Sequence, residues 1–421
     1  MEAGVSFPRQ NARTVGFSLG VPFAFAIASD GSRVAFLRAR SGTDRSTCLW
    51  VRDTATGAER LVADPDALLS GREESLPPEE QARRERTRQA AAGVVSFAAD
   101  KAVRIAAFAL SGRLFVADLT GPGGDPVQDL RDPVGAPVRE LAVPGPVLDP
   151  RPDPTGASIA YVADRTLRVV GADGSGDRAL AVPEVENVTY GLAEFLAAEE
   201  MYRTRGFWWS PDGRKLLVAR VDTTPVARWH ISNPAHPDRP PLEVAYPRAG
   251  TANADVSVVL AGLDGTLTPV GWDSSDSPYL TSAHWSRGGP ALLQVASRDQ
   301  RTMRVLAVAE DGTVEQVCED IDPDWVDVVV GTPAWTPGGD LVRVVARDGA
   351  YRLMIGENPV TPESINVAAV LDVGDDVLFT ATAQDPAELH VYTSGPNGTV
   401  RVTDEPGEHH AARTGDLIIV S

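Results

Sequence analysis

Residues 206–222, GFWWSPDGRKLLVARVD, hold a complete strand–turn–strand sentence. An aromatic run, Phe207-Trp208-Trp209, stops at Ser210-Pro211-Asp212-Gly213, and an apolar run resumes at once. Gly213 supplies the positive φ that a tight hairpin turn needs, and Pro211 and Asp212 are turn formers for their own reasons. Working outward, the same sentence recurs along the chain. Ser29-Asp30-Gly31 precedes RVAFLRA, Ser111-Gly112 precedes RLFVAD, and Pro154-Thr155-Gly156 precedes ASIAYVAD. Gly288-Gly289 precedes PALLQVAS, Pro337-Gly338-Gly339 precedes DLVRVVARD, Gly374-Asp375 precedes DVLFTATA, and Thr414-Gly415 precedes DLIIVS.

Short strands in units spaced by roughly 40–80 residues match a repeat architecture in which each sheet buries its faces only against its neighbours. The expected class is therefore all-β, a β-propeller of eight blades over residues 1–421, with the last blade incomplete at Ser421. A pair of β-sandwiches is the alternative. Two segments break the β pattern. PPEEQARRERTRQAAA, about 77–92, places Glu early and Arg late, the charge order a helix dipole favours. YGLAEFLAAEEMY, about 190–202, is rich in Ala, Leu and Glu. Both are expected to be helices inserted between blades, on a face of the propeller or over its channel.

Composition narrows the function. The chain has 421 residues, with Lys+Arg 39 against Asp+Glu 58 and a net charge of -19. That argues against nucleic acid, whose phosphates need a basic face, and against anionic membrane surfaces. Only Cys48 and Cys318 are present, too few for a disulfide framework or a thiolate metal cluster. The histidines show no metal-ligand spacing, no Gly-rich phosphate loop opens a helix, and neither metal nor cofactor is expected. With neither a secretory leader nor a long apolar segment in the sequence, the expected location is the cytoplasm.

Three features could carry chemistry. Glu199-Glu200 reads either as a solvated acidic pair or as two carboxylates sharing a cation. Neighbours on a helix diverge by about 100°, so the second reading needs a helix end. A primary ammonium with three donors fits such a pair. The arginines Arg83, Arg84, Arg86 and Arg88 read either as i,i+4 partners of Glu79, Glu80 and Glu85 or as a source of one arginine that holds a carbonyl or carboxylate oxygen. Gly16-Phe17-Ser18-Leu19-Gly20 has the spelling of a nucleophile elbow, but Val21-Pro22 follows where a helix is required.

AEFLAAEEMYR (193–203) followed by GFWWSPDG, with VAYPRAGTANADV (244–256) and ARRERTR (82–88), resembles the N-terminal propeller domain of dipeptidyl peptidase IV-like serine peptidases of the prolyl oligopeptidase group. FPRQNARTVGFSLGVP (7–22) and TDEPGEHHA (403–411) resemble bacterial members. The resemblance covers nearly the whole chain. It implies that Glu199 and Glu200 bind the free α-amino group of a peptide, so that only two residues fit before the cut. It also implies that an arginine of the cluster, Arg84 with Arg88 as the alternative, reaches the neighbouring carbonyl. In that family an α/β-hydrolase domain carries the Ser, Asp and His triad. None of its motifs occurs here, so the expectation is a substrate-gating domain with no catalytic residue of its own, inactive without the hydrolase and a possible homodimer when complete. The alternative is a non-catalytic propeller that binds a protein or peptide partner.

Overall fold

The computed structural model describes residues 6–86, 89, 91–121 and 137–421. The chain divides into two compact units, one built from Met1–Asp164, Arg168–Arg178 and His409–Ser421, the other from Arg165–Leu167 and Ala179–Glu408. In both, the repeating element is an antiparallel meander of four strands in chain order, the blade of a β-propeller.

In the first unit, helix α1 (Phe7–Arg13) leads to a sheet of Phe23–Ile27, Arg33–Ala39, Ser46–Asp53 and Glu59–Ala63. A second sheet takes Ala98–Ala99, Ile105–Leu110, Arg113–Asp118 and Val138–Leu141. Leu37 and Leu49 of the first meet Phe108, Leu110 and Phe115 of the second in one core, with Phe108 and Phe115 stacked at 5.5 Å. Burying each such side chain stabilises by about 1.5–3 kcal/mol. Because both faces are covered, the inner strands read as continuous apolar runs and lack alternation. The hairpin Ala411–Thr414 and Leu417–Val420 closes this unit's list of strands.

The second unit has the same grammar. Lys215–Asp222 pairs with Asp255–Gly262, which pairs with Leu267–Pro269. Further meanders run over 279–321, 334–359 and 366–401. Burial falls from inner to outer strands: every residue of Ala291–Ala296 is buried, whereas Val314–Ile321 is largely exposed. The hairpin Arg228–Ile231 with Leu242–Ala245 stands apart as a two-stranded sheet.

The turns use the chemistry their residues offer. Ser210 Oγ accepts the N–H groups of Arg214 and Lys215 at 3.1 and 3.0 Å, and Gly213 sits at φ +71°. The two inserted helices are present but shorter than their composition suggests. The arginine helix is α3, Pro78–Arg86, preceded by the short α2 (Pro65–Leu68), and Ala92–Gly93 is strand, paired in parallel with Ser46–Thr47. Gly93 has φ +81° and no room for a side chain, since a Cβ would lie 2.6 Å from Pro65 Cγ. The Glu-pair helix is α4, Phe195–Glu200; Tyr190 belongs to a strand and Tyr202 leaves the helix at φ +56°. Among the described residues no helix is long and apolar enough to cross a membrane.

Candidate functional site

Val188–Tyr190 and Phe207–Trp209 lie end to end along one edge of Lys215–Asp222, with Tyr190 opposite Arg220 and Phe207 opposite Val218. Between them Ala219 accepts the Gly191 N–H at 2.9 Å and donates its own N–H to the Gly206 carbonyl at 2.8 Å. They are thus two halves of one strand, and the chain from Gly191 to Gly206 is an excursion that leaves and returns at a single point. A Cβ on Gly206 would lie 2.3 Å from the carbonyl carbon of Gly191 and from the amide nitrogen of Leu192. Only glycine fits that pinch.

A second lock sits inside the excursion. Glu194, which precedes α4, pairs with the Arg203 guanidinium; the two side chains are 8% and 3% exposed. Arg203 also donates from Nε to the Leu280 carbonyl at 2.8 Å and from Nη1 to the Arg205 carbonyl at 2.9 Å. Its charge is therefore met by one carboxylate and two carbonyls, which is what makes a buried guanidinium tolerable. Ala197 and Met201 turn inward and pack with Tyr279, Ala296 and Met303. The helix is fixed on one side by apolar contact and at both ends by the backbone.

Glu199 and Glu200 are the last two residues of α4, and both are exposed. Among the described residues neither carboxylate meets a hydrogen-bond or ion-pair partner. A helix C-terminus carries partial negative charge, so two carboxylates there are locally unfavourable. Tyr202, 73% exposed, stands beside them at positive φ. Two exposed carboxylates at a helix end offer acceptors to a donor that meets both.

Glu200 also borders a cavity of about 520 Å³. Met201, Met303, Val329 and Val367 give it apolar wall, while Trp325, Asp327 and Tyr351 stand on its polar side. The Trp325 indole donates to Asp327 Oδ1 at 3.0 Å, and the Tyr351 hydroxyl donates to Oδ2.

The arginine cluster has a different character. Arg84 is buried in the first unit, with Nε donating to Glu80 at 2.8 Å and Nη2 and Nη1 donating to Glu74 at 2.6 and 3.2 Å. Glu74 in turn accepts the Gly93 N–H at 2.9 Å, so Arg84 ties α3 to the strand that follows. Arg83 forks onto Glu80 from outside. Burial would push the Glu80 carboxyl up, but Arg83 and Arg84 outweigh it and hold it below the usual carboxylate range. Arg84 thus has three N–H groups engaged by its own unit's carboxylates. Arg88 lies outside the described residues. Ser18, in the elbow-like spelling, sits in a run of turns with its hydroxyl on the Val15 carbonyl at 2.7 Å.

Glu194, Arg203 and Asp327 belong to this surrounding structure without standing out in the sequence. The first two lie inside the AEFLAAEEMYR stretch, where a lone acid and base flanking a short helix were the available signal. At Asp327 the local signal is only Trp325, two residues before it, whereas its second partner, Tyr351, is brought to it by the fold.

A family model described as dipeptidyl peptidase IV (DPP IV) N-terminal region matches residues 121–420. The chain is 25% identical over 307 residues to a probable dipeptidyl-aminopeptidase B of Tuber melanosporum, covering 61% of this chain and 34% of that protein. It is 27% identical over 181 residues to venom dipeptidyl peptidase 4 of Apis mellifera, covering 39% of this chain and 23% of that protein. The chain thus spans about a third or less of the length of these curated relatives. The crystal structure of Porphyromonas gingivalis dipeptidyl peptidase 4 superposes with a TM-score of 0.75 at 16% identity, over 100% of this chain and 58% of that one. At that identity the match bears on fold, and it agrees with the β-propeller built from these meanders.

Proposed function

This chain belongs to the dipeptidyl peptidase IV N-terminal region family, and on that premise we propose that it is the substrate-anchoring propeller of a dipeptidyl aminopeptidase-type serine peptidase. Glu199 and Glu200 receive the α-ammonium of a peptide. The observation that carries this reading is the exposed carboxylate pair, without a partner among the described residues, at the end of a helix pinned on both sides. Two carboxylates offer acceptors for all three ammonium protons and two negative charges for one positive. A blocked or internal amide offers no charge and only one N–H, so the pair selects chain ends and imposes exopeptidase cutting.

In this reading the nucleophile, its base and the oxyanion hole lie in an α/β-hydrolase domain outside these 421 residues, and the propeller gates access to it. Arg84 serves as the brace of α3.

The test is calorimetric titration of an unhydrolysable dipeptide amide and of its N-acetylated analogue. Wild type should bind the free amine more tightly, and Glu199→Gln or Glu200→Gln should weaken that binding about tenfold, the scale of a hydrogen bond to a charged group. Equal binding of the acetylated peptide rejects the anchor and favours a partner-binding propeller.

A further inference from the structure

We infer, resting on the amine-anchor reading, that Asp327 makes the cavity beside Glu200 selective for a cationic side chain, arginine or lysine, on the first residue of the bound peptide. An ammonium held at Glu199 and Glu200 is one bond, about 1.46 Å, from the first Cα, so that residue's side chain must start at the cavity mouth. The cavity, about 520 Å³, has room for a long side chain. Its lining contains two carboxylates, Glu200 and Asp327, and among the described residues no lysine, arginine or histidine.

Asp327 is a prepared acceptor. Both of its oxygens are already oriented, Oδ1 by the Trp325 indole N–H and Oδ2 by the Tyr351 hydroxyl. Tyr351 is itself fixed through its backbone N–H, which donates to Asn366 Oδ1 at 2.8 Å. Both donors to Asp327 are neutral, so the carboxylate is oriented, and among the described residues no ion pair meets its charge. Each oxygen retains lone-pair capacity for a further donor. The walls suit the rest of the ligand: Met303, Val329 and Val367 can cover an aliphatic stem, and the half-exposed Trp325 ring can face a cationic head.

The experiment titrates the full 421-residue chain with three peptides: arginyl-alanine amide, citrullyl-alanine amide and the N-acetylated arginyl peptide. Citrulline keeps the shape of arginine and removes its charge. Arginine should bind about three- to fivefold more tightly than citrulline at low salt, the size of a partly exposed ion pair, and the ratio should shrink as salt screens it. Asp327→Asn should bring the ratio close to one, and Asp327→Glu should retain the preference. A ratio of one in wild type, or an undiminished ratio in Asp327→Asn, overturns the assignment of Asp327. Failure of the underlying reading looks different: the N-acetylated peptide would then bind as well as the free amine, whatever the arginine-to-citrulline ratio. Absence of binding by both free-amine peptides at millimolar concentration overturns both.

Discussion

Glu194 and Arg203 are joined by a buried ion pair that closes the base of the segment on which Glu199 and Glu200 stand. Glu194 precedes the short helix α4 and Arg203 follows it, so the pair holds the helix as a clasp holds a loop. Removing one partner of a buried pair leaves an uncompensated charge, which costs about 3–5 kcal/mol. Arg203→Met should therefore lower the urea midpoint steeply. Adding Glu194→Gln to that variant should recover part of the loss, because the stranded charge disappears. A loss under about 1 kcal/mol in Arg203→Met would mean that neither the ion pair nor the two carbonyl contacts stabilises the segment.

The pinch at Gly206 makes a sharper prediction, since the obstacle is backbone. Overpacking usually costs about 1–3 kcal/mol, and Gly206→Ala belongs at the top of that range because a Cβ would fall 2.3 Å from main-chain atoms of Gly191 and Leu192. Gly250→Ala is the control: its φ is +78° and a Cβ there meets nothing within 4 Å, so only backbone strain of about 1–2 kcal/mol remains. Urea unfolding of the two variants should rank them in that order. Gly206→Ala should also weaken binding of free-amine peptides while Gly250→Ala does not. The reverse ranking would dissolve the pinch.

What the chain reveals on reading, and what it hides, divides along physical lines. The apolar runs after the turns, RVAFLRA, RLFVAD and KLLVARVD among them, coincide with strands because turn chemistry and two-sided burial are both written locally. Composition extends both helices beyond their observed ends because alanine and glutamate report helix propensity, whereas Gly93 and Gly191 lie where the chain is held against another strand. Arg84 shows the same limit: spacing puts it on a helix, but only the fold brings Glu74 to it, with the Gly93 N–H donating to that same carboxylate. Asp327 depends on a tyrosine from a neighbouring strand, and no periodicity within its own segment could announce that.

The repeated turns predict an acid limb. Asp173, Asp273 and Asp311 each accept the hydroxyl and then the N–H of the residue two positions on, Ser175, Ser275 and Thr313, and these bonds hold all three carboxyls below the usual range. A carboxyl depressed in the folded state stabilises it above the unfolded value, about 3.9, and that stability is lost as pH falls through the folded value. The urea midpoint should accordingly decline below about pH 4. The triple variant Asp173→Asn/Asp273→Asn/Asp311→Asn keeps an acceptor at each turn and removes the titration, so its decline should be shallower. An unchanged slope would place the acid sensitivity elsewhere.

The two thiols predict the opposite limb. Burial, reinforced by Asp64, pushes Cys48 up to about 12; burial, reinforced by Asp320, pushes Cys318 up to about 11. Both side chains are free thiols, and the thiolate is the reactive form. Neither should react appreciably with a disulfide reagent at pH 8 in the native protein, and both should react promptly in denaturant. In the unfolded chain a thiol titrates near 8.5, so above that pH the unfolded state sheds protons that the folded state keeps. Stability is therefore full below about pH 8.5 and falls as pH rises toward the folded values. Replacing Cys48 with alanine should flatten that alkaline decline, with the Cys318 contribution remaining. Rapid labelling of Cys48 at pH 8 without unfolding would show that the first sheet opens more readily than its burial implies, and an alkaline limb unchanged in Cys48→Ala would place the decline in other groups.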